Sequence, residues 1–171
     1  MIVQQSWCPP GWFHLKNSCV FIKTTPSSYN YRKDGVSSWT NTLKECNEEG
    51  ADLMVVQDLE DLNGLLSMYY IAGGFFRRPL FLGSREDFNL RWNWRHGGMV
   101  DPALWGPAEP NTAKYGRCGV IENFERRLFG RGCGWWLAAR GCKYKRAYIC
   151  EARPGEFMEV VKVLFSPTAF V

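Results

Sequence analysis

Leu104 to Asn111 reads LWGPAEPN. The stretch ends in a Glu-Pro-Asn tripeptide, in which two oxygen-bearing side chains flank a residue of fixed φ. Taken alone it admits two readings. Glu109 and Asn111 can be half of a calcium site, since Ca²⁺ takes oxygen ligands, about six to eight of them. They can equally be the shoulders of a proline turn, accepting hydrogen bonds from local backbone N–H groups. The chain around the tripeptide has to decide.

The chain has 171 residues, enough for one domain with a real core. Hydrophobic residues make up 46% and aromatic residues 15%, a globular rather than a disordered composition. The net charge of +4 is mild and no dense Lys/Arg run occurs, which argues against nucleic acid as a partner. No apolar run approaches the roughly 20 residues that span a bilayer. The first residues, MIVQQSW, lack the basic and apolar segments of a signal peptide.

Seven cysteines set the compartment: Cys8, Cys19, Cys46, Cys118, Cys133, Cys142 and Cys150. None are spaced C-x-x-C, and the only histidines, His14 and His96, stand apart from any such pair, so disulfides are favoured over zinc. Disulfides place the domain in a secreted or extracellular setting. An odd count leaves at least one thiol free or joined to another chain.

Residues 11–23 read as two short strands around a Lys-Asn-Ser turn. Residues 24–36 read as a polar loop. In SSWTNTLKECNEEGADL, Ser37 or Ser38 can cap a helix on which Trp39, Leu43 and Cys46 share a face, with Gly50 as its stop. A second helix follows, capped by Asp58, with Leu59, Leu62, Leu66 and Tyr69 on one face and Gly73 at its end. Beyond it, PLFLG, LRWNW, CGVIE and RAYICEA are strand-like runs between glycine- and proline-rich loops. The order predicts an α+β fold. Residues 153–171, after a Pro-Gly break, read as an added segment carrying FMEVVKVLF.

These pieces, in this order, resemble a C-type lectin-like domain of the long form over residues 1–152. WCPPGWFHLKNSC resembles its N-terminal hairpin, and Trp39, Cys46 and GADL its first helix. LFLG resembles the core strand, RWNW the entry to the long loop, WGPAEPN the loop motif, and CGVIE, Cys142 and YICE the closing strands. The resemblance implies two helices with two small antiparallel sheets and a long loop region. It also implies the disulfides Cys8–Cys19, Cys46–Cys150 and Cys118–Cys142, with Cys133 left unpaired or intermolecular.

In such domains the Glu-Pro-Asn loop holds calcium and vicinal sugar hydroxyls, with mannose-type geometry and a cis proline. Trp105, Glu109, Pro110 and Asn111 are therefore the implied ligand-binding residues, and Glu109 and Asn111 the implied metal ligands. The pattern then breaks. The family places an acid shortly before the third core cysteine, where this chain has Tyr115, Gly116 and Arg117. It places Asn-Asp after a tryptophan in the later strand, where Leu137, Ala138 and Ala139 follow Trp136. A weak or absent calcium site is expected, with Glu122 as a possible stand-in ligand and Arg117 adding an unwelcome cation.

Other candidates are weaker. Trp39, Trp92, Trp94 and Trp105 read as core, and one of Trp135 and Trp136 as surface, since neighbours in a strand face opposite ways. Arg77, Arg78, Arg85, Arg91 and Arg95, with the run Arg126, Arg127, Arg131, Arg140, Lys143, Lys145 and Arg146, can bind sulfate or carboxylate, or can be solvated charge. No nucleophile motif or phosphate loop argues for an enzyme. The expected function is a non-catalytic extracellular module that binds a glycan, mannose-type or anionic. The alternatives are a protein-binding lectin-like domain and a structural subunit that associates through Cys133 or the tail.

Overall fold

The computed structural model describes residues 8–23, 38–73, 79–124 and 134–153. The polar loop, Cys133, the tail, Arg77, Arg78, Arg126, Arg127 and Arg131 lie outside the described residues. Strands β1 (Phe13–Leu15) and β2 (Ser18–Lys23) form the opening hairpin, followed by α1 (Trp39–Glu48), β3 (Asp52–Leu53) and α2 (Leu59–Gly73). Then come β4 (Leu80–Glu86), β5 (Trp92–Trp94), a 3₁₀ turn (Pro102–Leu104), α3 (Thr112–Tyr115), β6 (Cys118–Phe124), β7 (Gly134–Arg140) and β8 (Tyr148–Ala152).

The helix boundaries follow local chemistry. Gly50, at φ 72°, ends α1: its N–H reaches Asn47 O and the N–H of Ala51 reaches Cys46 O, a Schellman closure. Ser38 occupies the N-cap position of α1 without a side-chain cap bond. Asp58 caps α2, its carboxylate accepting from the N–H groups of Glu60 and Asp61 at 3.0 and 3.2 Å. Asp58 also pairs with Lys16 in the β1–β2 turn, and this pairing holds its carboxyl below the usual range.

The strand order is β1-β2-β8-β4-β6-β7, with β3 on β8 and β5 on β4. The eight strands form one mixed sheet rather than two separate ones: two antiparallel groups, β1-β2-β8-β3 and β5-β4-β6-β7, are joined by the parallel pairing of Phe81 with Tyr148. The α+β architecture read from the sequence is therefore present, with α3, β3 and β7 added to the elements read there. Strand alternation splits the core into two layers. Leu80, Leu82, Ile121, Trp135, Leu137 and Ile149 join Leu62, Leu65 and Leu66 of α2 on one side. On the other, Phe81, Val120, Ala138 and Tyr148 join Trp39 and Cys46 of α1. Where β4 and β6 run side by side, a Cβ on Gly119 would lie 1.8 Å from Ser84 Oγ, so any side chain there would have to displace the buried Ser84 hydroxyl.

All three implied disulfides are formed: Cys8–Cys19, Cys46–Cys150 and Cys118–Cys142. Trp39, Trp92, Trp94 and Trp105 are buried, as read from the sequence. The indole of Trp39 donates to Leu82 O at 2.8 Å, and Trp92 meets Trp105 edge-on with ring centroids 4.7 Å apart. Trp135 is buried while Trp136 is half-buried.

Candidate functional site

The Glu-Pro-Asn loop is anchored against β7 before it turns. Asp101 caps the 3₁₀ turn through Ala103 N–H at 2.8 Å. Trp105 then bridges to Leu137, and Gly106 N–H donates to Leu137 O at 2.8 Å. Ala108 takes φ 58°, and Glu109 N–H closes the turn on Gly106 O at 3.2 Å. The Glu109–Pro110 bond is cis. Asn111 caps α3, its side-chain oxygen accepting from Lys114 N–H at 3.3 Å.

Glu109 is the hub. Its side chain is only 4% exposed. Oε2 accepts from the N–H groups of Asn111 at 2.8 Å and Ala139 at 3.0 Å, and Oε1 accepts from Arg140 Nη1 at 2.7 Å. Three of the carboxylate's roughly four acceptor positions are thereby filled. The same guanidinium donates through Nη1 to Ala139 O at 2.6 Å and through Nη2 to Glu122. The Tyr115 ring lies 4.7 Å from its Cζ. Arg140 is thus enclosed by two carboxylates, a carbonyl and an aromatic ring. Burial raises the pKa of the Glu122 carboxyl, opposed chiefly by the charge of Arg140.

A second acid lies nearby. Glu86, at the end of β4, is buried and accepts from the Thr112 hydroxyl at 3.1 Å, while Arg117 Nε stands 3.4 Å from its Oε2. Arg117 is therefore matched to Glu86 rather than facing Glu109. Of the other arginines, Arg95 pairs with Asp52 at 3.0 Å, and Arg85 lies 5.7 Å from the Trp39 ring.

Calcium would need about six to eight oxygens around one point. Glu109 is turned to a guanidinium, the Asn111 oxygen caps a helix, and among the described residues no group of three or more His, Cys, Asp or Glu side chains could hold a metal. The residues present do not fit the ion as they stand.

The sequence reading placed Trp105, Glu109, Pro110 and Asn111 in one loop, as they are, and considered Glu122, which reaches the same group from β6. It missed the role of Arg140. The available signal was an arginine in the strand where the resemblance expects acidic and amide ligands, coupled with an unmatched Glu109.

A family profile described as "Lectin C-type domain" matches residues 35–152. The chain belongs to the C-type lectin domain family. The chain is 24% identical over 139 residues to human C-type mannose receptor 2, covering 79% of this chain and 8% of that protein. Thus it spans under a tenth of that relative's length. Among solved structures, the Ca²⁺-independent C-type lectin SPL-2 from Saxidomus purpuratus superposes with a TM-score of 0.65 at 19% identity, covering 86% of this chain and 95% of that one. The C-type lectin domain of murine dendritic cell inhibitory receptor 2, in complex with N-glycan, gives 0.59 at 20% identity, covering 85% and 98%. These identities speak to the fold alone. The family is generally non-catalytic, and no described helix is long and apolar enough to cross a membrane.

Proposed function

We propose that this domain is an extracellular glycan-binding module in which the guanidinium of Arg140, rather than calcium, organises the Glu-Pro-Asn loop. The observation that carries the reading is the closed set Glu109–Arg140–Glu122. A cation fixed by covalent attachment to β7 neutralises the carboxylates that a metal would otherwise have to neutralise. The N-glycan bound by the domain of dendritic cell inhibitory receptor 2 and the calcium independence of SPL-2 lend support to both halves. With Glu109 turned inward, sugar contacts fall to the exposed rim of the loop rather than to a metal shell.

The test is a glycan array probed with and without chelator, alongside thermal unfolding in calcium. Binding should survive chelation, and about 1 mM calcium should add less than about 0.5 kcal/mol, the gain for a site with Kd of about 1 mM. A chelator-reversible rise of many degrees would overturn the role given to Arg140. A second reading, docking to a protein, draws on the β4–β5 turn. There Phe88 is 98% and Leu90 67% exposed, on a loop tied down by Asp87, which accepts from Asn89 N–H, Arg91 N–H and the Asn93 amide. Capture of a protein partner unaffected by chelator, with an empty glycan array, would favour it.

A further inference from the structure

The sequence repeats itself on the two sides of the Cys118–Cys142 disulfide. Lys114-Tyr115-Gly116-Arg117 leads into Cys118, and Gly141 and Cys142 lead into Lys143-Tyr144-Lys145-Arg146. The disulfide sets the two cysteine Cα atoms 5.2 Å apart. Gly116 and Gly141 touch backbone to backbone: a Cβ on Gly116, which has φ 119°, would lie 2.7 Å from Gly141 Cα. A Cβ on Gly141 would lie 2.6 Å from the Tyr144 ring and 3.6 Å from Tyr115 O. Two Lys-Tyr pairs therefore flank one glycine seam, and the backbone contact at Gly116, made at positive φ, is one only glycine allows. Tyr115 is 40% and Tyr144 65% exposed, and Lys114 and Lys143 are exposed beside them.

The charge here has one sign. Neither residues 112–121 nor residues 137–150 contain an acid. Among the described residues, the carboxylates that approach from neighbouring elements face other groups: Glu86 stands beside Arg117, Glu109 and Glu122 share Arg140, and Glu45 accepts from the Tyr148 hydroxyl. Lys114, Lys143 and Lys145 keep their charge for an outside partner, and Lys114 Nζ rests 4.9 Å from the Tyr115 ring.

We propose that this seam binds a sulfated polysaccharide chain. Sulfates along such a chain need cations set side by side with no competing carboxylate. Its pyranose rings present C–H faces that pack on an exposed aromatic ring, which Tyr144 supplies. Single-stranded nucleic acid also pairs with cations and rings, but a domain stapled by three disulfides belongs where sulfated polysaccharides are met. The inference rests on the glycan-binding reading above and names its ligand class. It uses a surface separate from the inward-facing Glu109 carboxylate.

The experiment measures binding of the full chain to a heparin octasaccharide, to its desulfated counterpart and to a single-stranded oligonucleotide of matched charge. Lys114→Ala/Lys143→Ala/Lys145→Ala is compared with Lys23→Ala/Lys44→Ala/Arg91→Ala, which removes the same charge elsewhere. All six side chains lie at least partly at the surface, so both variants should melt close to the parent. We expect the octasaccharide to bind. We expect the seam variant to bind it at least about tenfold more weakly, and the control variant to lose less than about threefold, since exposed charges act mainly over short range in salt. Tyr144→Ala should weaken binding further in the seam variant's direction. Equal loss in both triple variants, oligonucleotide bound as tightly as octasaccharide, or no octasaccharide binding would each overturn the proposal. If it fails while neutral glycans still bind on the array, the glycan-binding reading survives; if no glycan of any kind binds, that reading fails first.

Discussion

Arg140→Ala would leave Glu109 and Glu122 sharing a partly buried space with no cation between them. Removing one partner of a buried ion pair costs about 3–5 kcal/mol, because the remaining charge is uncompensated. Glu109 keeps 4% of its side-chain exposure, but Arg140 keeps 15% and Glu122 24%, so solvent screens part of the loss. We expect about 2–4 kcal/mol, a fall in Tm of about 5–15 °C at this chain length. The deficit should depend on pH with a definite sign. Burial raises the Glu122 pKa and the Arg140 charge is what chiefly opposes it, so the upward shift grows in the variant. A carboxyl whose folded pKa exceeds its unfolded value destabilises most above the folded pKa, and the penalty fades as pH falls through it. Differential scanning calorimetry at about pH 7.5 and about pH 4.5 should therefore show the larger deficit at the higher pH. Arg140→Lys should recover only part, because a single ammonium cannot fork between two carboxylates. A Tm within about 1 °C of the parent, or an equal deficit at both pH values, would refute the reasoning.

Three further outcomes are expected. Replacing Cys46 and Cys150 together by alanine removes a closure across 104 residues, worth about 4.7 kcal/mol in the chain-entropy account, read as a large fall in the guanidinium midpoint. Trp39→Phe strands the buried Leu82 carbonyl and should cost about 1–3 kcal/mol in equilibrium unfolding. Leu90→Gly should stabilise by up to about 1 kcal/mol, because Leu90 sits at φ 60° and is mostly exposed, so relief of the left-handed conformation outweighs the lost side chain; a lower Tm would show that its side chain packs.

The fold was legible because its strongest signals are local and ordered. The capping Asp58, the stop at Gly50, the spacing of Leu59, Leu62 and Leu66, and the positions of six of the cysteines survive as sequence patterns. The strand β7 was harder: Trp135 to Ala139 is an apolar run with no alternation, because both of its faces meet core. The loop motif was legible as a motif, but its state was not. Whether Glu109 faces a metal or a guanidinium depends on Arg140, 31 residues away, and on Glu122. No short-range spacing reports a contact of that kind. The same holds for the lysine-tyrosine seam, whose halves are brought together by a disulfide, a glycine contact and the pairing of β6 with β7.

The anchoring of the loop on β7 has a consequence for how the domain avoids sticking to itself. Among the described residues β7 is the last strand in the order, and an uncovered margin there would invite another chain to add to the sheet. Its outward backbone groups are instead taken in alternation: Trp135 N–H by the Asn63 side chain, Leu137 O by Gly106 N–H, and Ala139 N–H by Glu109. A helix amide, a loop backbone and a carboxylate together act as a counterfeit neighbouring strand. Damage to the Glu-Pro-Asn loop would then do more than alter a binding site. It would uncover a hydrogen-bonding margin beside apolar Leu137 and Ala138, and the first sign of such damage would be aggregation.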